Sequence, residues 1–390
     1  MRVGYLQVVL PGRNQMSLTR YGRLLAAEAR RRPELDVLEV EVQLDHRPGA
    51  NAARLREAAR RLSQVDVVHL QYSRFLWRAG WQQRYYWHAF RQHCPRPLVA
   101  TLHDVYPYFY PPEGFKAVLR GARESAAPPA WRARDTLGAL KNYVLDGMTL
   151  RAVARDCSAI LVCTAEEQRR AAHLTPPDRI KVIPHFVEVR PPSLSRAAAR
   201  QKLGFDDHRI VTLQGFVYTN KGHRILIEAL PELPPEVRVI FAGCPVPGHE
   251  GYLRELQALA ESVGVTDRMR VTGYLSDAEM LIYQTATDLA VCPFSIISAS
   301  SSLSSWVAAA RPILASDLPQ MAEYAQWVPG AVRTFRPYAA WALAAAIRAL
   351  LPECSDADDP AVARLREALS MPLVFNMHLE RYRQAAAKAA

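Results

Sequence analysis

The stretch DLAVCPFSIISASSSLSSWVAAARPILASDLPQMAE, residues 288–323, decides the fold. A short apolar run at 288–294 is followed by five serines between 300 and 305, an apolar stretch from Trp306 to Ala310, and a second short run led by Pro312. Short apolar runs bounded by turn residues read as buried strands. Serine opens helices because its hydroxyl accepts from an amide that has no partner in the first turn. The stretch is therefore a strand, a helix and a second strand, the unit from which parallel sheets are built.

Outward from this unit the alternation recurs. RIVTLQG (209–215), VRVIFAG (237–243) and MRVTGYL (269–275) precede it. An earlier series holds VGYLQVVL (3–10), VLEVEVQL (37–44), DVVHLQY (66–72), PLVATLH (97–103), AILVCTA (159–165) and IKVIPHF (180–186). Helix-length amphipathic stretches lie between. One runs from Ser17 to Arg32, sets Leu18, Tyr21, Leu24 and Leu25 on one face, and is stopped by Pro33. The expected class is α/β, with two Rossmann-like doubly wound domains over 1–190 and 191–370, hinged in the Pro-rich stretch near 187–195. Residues 371–390 read as a helix with no strand after it, expected to cross back to the first domain.

At 390 residues the chain exceeds the roughly 100–200 of a typical domain. Hydrophobic residues at 49% and charged residues at 22% exclude disordered and fibrous classes. The opening MRVGYLQVVLPGR is expected to be a first strand rather than a leader. No apolar run approaches the roughly 18 residues a spanning helix needs. The six cysteines lack metal-site spacing, so we expect buried thiols, no metal and a cytoplasmic setting. The net charge of +11 is uneven: residues 1–190 carry 30 Lys/Arg against 18 Asp/Glu, the remainder 19 against 20. That excess, together with the basic and partly amphipathic stretch 116–155, makes an anionic membrane surface a candidate partner and the inner face of the membrane a candidate location. An Arg-rich composition explains the charge equally well. No nucleic-acid-binding module is present.

Ligands of open parallel sheets bind beyond the carboxyl ends of the strands, where helix N-termini attract phosphate. Two loops there stand out. QGFVYTNKGHRILIEAL (214–230) sets Lys221-Gly222 immediately before a helix, where a lysine can neutralise a diphosphate. The serines at 300–305 offer hydroxyls and approachable amides. The plainer alternatives are a surface lysine with a turn glycine, and an ordinary cap. In the first half, residues 72–115 hold thirteen of the 34 aromatics, and the YPYFYPP run after His103 offers ring faces suited to a sugar.

In order as well as content, the second half resembles the donor domain of family-four glycosyltransferases. The matching residues are Gly215, Lys221, Gly222, Gly243, Gly273, Asp288, Pro293, Pro312, Asp317 and Glu323, over roughly 209–325. DVVHLQ, ATLHD, AILVCTAEE and IKVIPHF extend the resemblance more loosely into the first half. The resemblance implies a GT-B fold with a central interdomain cleft. It also implies transfer with retention from a nucleoside-diphosphate sugar, a co-substrate with no further cofactor. Catalytic candidates are His103, at the position of a family histidine that faces the donor, and Lys221. Donor-binding candidates are Gly12, Gly215, Lys221, Tyr274, Leu275, Ser300, Ser301, Ser302, Leu303 and Ser305. Tyr106, Tyr108 and Tyr110 are the acceptor-binding candidates.

Departures accompany the resemblance. The family's two donor-side glutamates fall, counted without gaps, at Ile297 and Ser305, and Phe216 stands where an arginine often follows the first glycine. Serine hydroxyls can replace carboxylates toward ribose or sugar hydroxyls. The expected activity is glycosyl transfer to an unidentified lipid-linked or soluble acceptor. The alternatives are a GT-B-like protein that binds without turnover, and a sugar-nucleotide epimerase.

Overall fold

Two six-stranded sheets, every strand pair parallel, organise the chain. A computed structural model describes residues 1–10, 17–106, 116, 129–205, 207–246 and 250–388. The chain divides into two compact units, one made of Met1–Pro184 with Met371–Ala390, the other of His185–Ser370. The first segment of the first unit ends at Pro184, ahead of the Pro191-Pro192 pair.

The first unit holds β1 (Arg2–Val9), β2 (Asp36–Gln43), β3 (Val67–Tyr72), β4 (Leu98–Leu102), β5 (Ala159–Val162) and β6 (Ile180–Val182), in the order β2-β1-β3-β4-β5-β6. β3, β4 and β5 are buried throughout, because crossover helices cover both faces of a parallel sheet. The helix Ser17–Arg30 buries Tyr21, Leu25, Ala26 and Ala29, as its spacing predicts. Trp77, Tyr86, Trp87 and Phe90, part of the aromatic-rich segment, pack edge and face into the core rather than toward a ligand. The helix Met371–Ala387 returns to this unit and packs on Ser17–Arg30, β3 and β4. A buried hydrogen bond fixes it there, between the Tyr382 hydroxyl and His69 Nδ1 at 2.7 Å.

The second unit holds β7 (Arg209–Gln214), β8 (Val237–Ala242), β9 (Met269–Val271), β10 (Leu289–Cys292), β11 (Ile313–Ser316) and β12 (Arg333–Phe335). Their order is β12-β11-β10-β7-β8-β9, so the strand sequence reverses between β7 and β10. β12 was not foreseen in the sequence; it is three residues long and buries only Phe335. β9 stops at Val271 instead of reaching Leu275, because Gly273 turns the chain with φ +76°.

Asp288, one of the matching residues, is a buried structural hub: its carboxylate pairs with Arg196 at 2.8 Å and Arg200 at 3.0 Å and accepts from the Ile210 amide at 2.6 Å. From residue 129 the basic stretch forms a helix, Pro129–Asp156. Leu137, Val144 and Met148 are exposed while Asp146 and Thr149 are buried. Apart from Lys116, residues 116–128 lie outside the described residues.

Candidate functional site

In the second unit, loops far apart in sequence converge where the strand order reverses. β7 ends at Gln214, and Gly215 follows with φ +117°, a conformation that L side chains rarely adopt. A short turn, Thr219–Lys221, leads to Gly222 at φ +83° and the helix His223–Ala229. A Cβ on Gly222 would overlap the Pro293 carbonyl oxygen, so the Lys-Gly pair is dictated by the close approach of the chain leaving β10. That chain continues to Ser300, which caps the helix Ser301–Ala308 by accepting from the Leu303 amide at 3.3 Å.

Lys221 Nζ donates to Ser302 Oγ at 2.7 Å, and Ser302 Oγ lies 3.0 Å from Ser300 Oγ. Ser302 thus gives one lone pair to the lysine, and either hydroxyl can supply the hydrogen shared between Ser302 and Ser300. The ammonium also sits 4.4 Å from the centroid of the Phe294 ring, over its face. Burial lowers the Lys221 pKa to about 8. The result is a half-buried cation at the first turn of a helix, at the topological switch point where doubly wound sheets take ligands.

Gly215, Lys221, Ser300, Ser302 and Leu303 are therefore brought together. Ser301 is exposed on the same first turn, and its carbonyl accepts the Ser305 hydroxyl at 2.8 Å, which commits that hydroxyl's proton to the helix backbone. Tyr274 is 68% exposed beyond β9, and Leu275 packs beside a separate apolar cluster around Phe205. The loops after β8 and β9 are tied by the Gly243 amide donating to Thr272 Oγ1 at 3.0 Å. Ile297, at the first missing glutamate, is buried in the cluster of Phe294, Leu303 and Trp306. Sequence reading missed Phe294 and the Ser302–Ser300 chain as a unit; the five-serine run was the signal for the latter.

In the first unit, His103 follows β4 and is 6% exposed. Its Nε2 lies 2.7 Å from Gln71 Oε1, an acceptor, so Nε2 carries the proton. The Tyr21 ring meets it edge-on at 5.2 Å. Gln71 continues to His69, whose ring burial holds neutral, as it does for His378, lowered to about 3. Gln71 was missed, although two-residue alternation puts it on the same face of β3 as His69. Beyond β3 and β4 a recess is lined in part by Arg74, Gln83, Asp104, Tyr143 and Asp146. Tyr106 is half-buried at the edge of the described residues. Tyr108, Tyr110 and Gly12 lie outside them. Among the described residues no helix is long and apolar enough to cross a membrane, and no cluster of three His, Cys, Asp or Glu side chains could hold a metal.

With this geometry in hand, comparisons with known proteins give a consistent picture. Residues 18–190 match the family model described as Glycosyltransferase Family 4, and residues 207–353 match that described as Glycosyl transferases group 1. A D-inositol 3-phosphate glycosyltransferase of Xylanimonas cellulosilytica is 29% identical over 250 residues, covering 61% of this chain and 52% of that protein. One of Mycobacterium sp. (strain KMS) is 32% identical over 186 residues, 44% of this chain and 42% of that protein. The chain thus matches about half the length of these curated relatives. HepE of Anabaena, crystallised with UDP and glucose, superposes with a TM-score of 0.70 at 16% identity, over 98% of this chain and all of that one. Sucrose-phosphate synthase of Thermosynechococcus elongatus gives 0.69 at 15%, over 99% of both. The fold is GT-B.

Proposed function

We propose that this chain, which belongs to the glycosyltransferases of family four, transfers a sugar from a nucleoside-diphosphate sugar to an acceptor hydroxyl with retention of configuration. Lys221 is the observation that carries the reading. Its ammonium, oriented by Ser302 at the first turn of Ser301–Ala308, stands where a departing diphosphate would meet a cation and helix amides together. Retaining transfer without a fixed nucleophile depends on positioning and on stabilising the leaving group, and a cation beside helix amides in the second unit supports the latter role. His103, held in one tautomer by Gln71, is the first unit's candidate for the donor sugar or phosphate. The test is nucleotide release from a panel of sugar nucleotides, with and without candidate acceptors. Saturable donor binding with no release across the panel would make the chain a binding protein, the reading that the burial of Ile297 favours.

We further propose that the protein works at an anionic membrane surface. The cationic excess of residues 1–190, with exposed Leu137, Val144 and Met148 beside exposed Lys141 on one helix, supports this. Co-sedimentation with liposomes should grow with acidic lipid and fall as salt rises from about 0.05 to 0.5 M, because screening shortens. Equal recovery in the supernatant with acidic and neutral vesicles would remove the membrane from the account.

A further inference from the structure

The recess beyond β3 and β4 contains buried polar groups that the fold leaves uncommitted. Gln83, on the helix Trp81–Arg91, is fully buried, and neither its amide oxygen nor its amide nitrogen has a hydrogen-bonding partner among the described residues. The Tyr143 hydroxyl, on Pro129–Asp156, is in the same position. An amide buried without partners costs several times what a made hydrogen bond returns, so such a group is explained when something else supplies the bonds.

Other polar groups of the recess are bonded to one another. Asp146 accepts from the Gly80 amide at 2.6 Å and pairs with Arg74 at 2.7 Å, while Asp104 accepts from the Arg74 amide at 2.9 Å and from the Ser73 hydroxyl at 2.6 Å. The empty volume, open mouth included, is about 430 Å³. The space in it that water-sized groups can occupy admits about two. Two neighbouring hydroxyls of a ring match that capacity, and a rotation of the Gln83 and Tyr143 side chains would bring their buried polar atoms to them. The chemistry agrees: a vicinal diol offers two donors and two sets of lone pairs, the complement of one amide and one phenol. Among the described lining residues two carboxylates stand to one guanidinium, a balance that disfavours an anion, although the unit as a whole is strongly cationic.

We propose that this recess binds the diol edge of an uncharged polyol, through Gln83 and Tyr143, as the acceptor subsite of the first unit. The inference deepens the glycosyltransferase reading and rests on it for the word acceptor, not for the binding itself. It also separates this chain from relatives whose name specifies a phosphorylated inositol.

The test is binding of myo-inositol and of inositol 3-phosphate to the full chain, followed by ligand-observed NMR and calorimetry, with UDP-sugar binding measured in parallel. Wild type should bind the uncharged polyol more tightly than the phosphate. Gln83→Leu and Tyr143→Phe should each weaken polyol binding about tenfold, the loss expected for one or two hydrogen bonds to a ligand. UDP-sugar affinity should not change, and the melting temperature of Gln83→Leu without ligand should be equal or higher, since an unpaired amide is removed. Polyol affinity unchanged in both variants would show that the recess holds only water and would overturn the proposal. Preference for the phosphate, or no polyol binding by wild type, would do the same. Failure of wild type to bind any sugar nucleotide of the panel would instead count against the glycosyltransferase reading and leave the polyol measurement standing. If Gln83→Leu fails to fold, Tyr143→Phe decides.

Discussion

The Lys221 site and the recess beyond β3 and β4 treat buried polarity in opposite ways. Around Lys221 the polar groups form a chain, from ammonium to Ser302, to Ser300, to the Leu303 amide. In the recess of the first unit, Gln83 and Tyr143 hold hydrogen-bonding capacity that the fold does not use. A site that must stabilise one recurring charge can be pre-assembled, since a diphosphate is the same in every nucleotide sugar. A site that takes a particular arrangement of hydroxyls must keep its donors and acceptors unspent until the ligand arrives.

The contrast breaks most severely at Gly222. Gly222→Ala should abolish the native second unit or destabilise it by more than about 3 kcal/mol, because the residue has φ +83° and its Cβ would overlap backbone rather than a movable side chain. Thermal unfolding checks this, and a variant as stable as wild type would mean that the close approach to Pro293 is not obligatory.

Next in size is Lys221→Ala, expected to lower turnover about 10- to 100-fold while the fold survives. Wild-type turnover in a folded variant would take Lys221 out of the mechanism.

A pH series sharpens the same point. Burial lowers the Lys221 pKa to about 8 from 10.5, so its charged form is held at a cost that a bound diphosphate offsets. Donor affinity should fall as pH rises through about 8, with proton uptake on binding near that pH, visible by calorimetry in buffers of different ionisation enthalpy. Stability of the ligand-free protein moves the other way. Between about 8 and 10.5 the unfolded chain holds more protons than the folded one, so the Lys221 contribution to stability rises with pH across that window. Lys221→Met should flatten both profiles.

The smallest effect separates two serines that look alike in sequence. Ser302→Ala removes the acceptor that orients Lys221 and should raise the donor KM about three- to tenfold. Ser305→Ala should change it little, because that hydroxyl already donates to the Ser301 carbonyl. Equal effects would return both to the role of replacing the absent carboxylates.

These serines also show what could be read beforehand. The strand and helix pattern, the cap at Ser300 and the Lys221-Gly222 turn rest on local chemistry, periodicity and hydroxyl placement, so sequence reveals them. β12 is too short and too exposed to carry a period. Gln83 is illegible for a different reason: within WQQRYYWHAF it reads as one more polar residue of a solvated helix, and only burial by Pro129–Asp156 makes it conspicuous. Ile297 was legible as a missing glutamate but not as a core residue.

The return of Met371–Ala387 to the first unit sets an order of events on the ribosome. His185–Ser370 is one uninterrupted segment and can complete its core as it emerges. The unit that begins first finishes last, with Tyr5, Tyr21 and His69 exposed in an unclosed groove until Phe375, His378 and Tyr382 have been synthesised and dock there. Such a groove, apolar with a polar floor, is the surface a chaperone would hold during that interval.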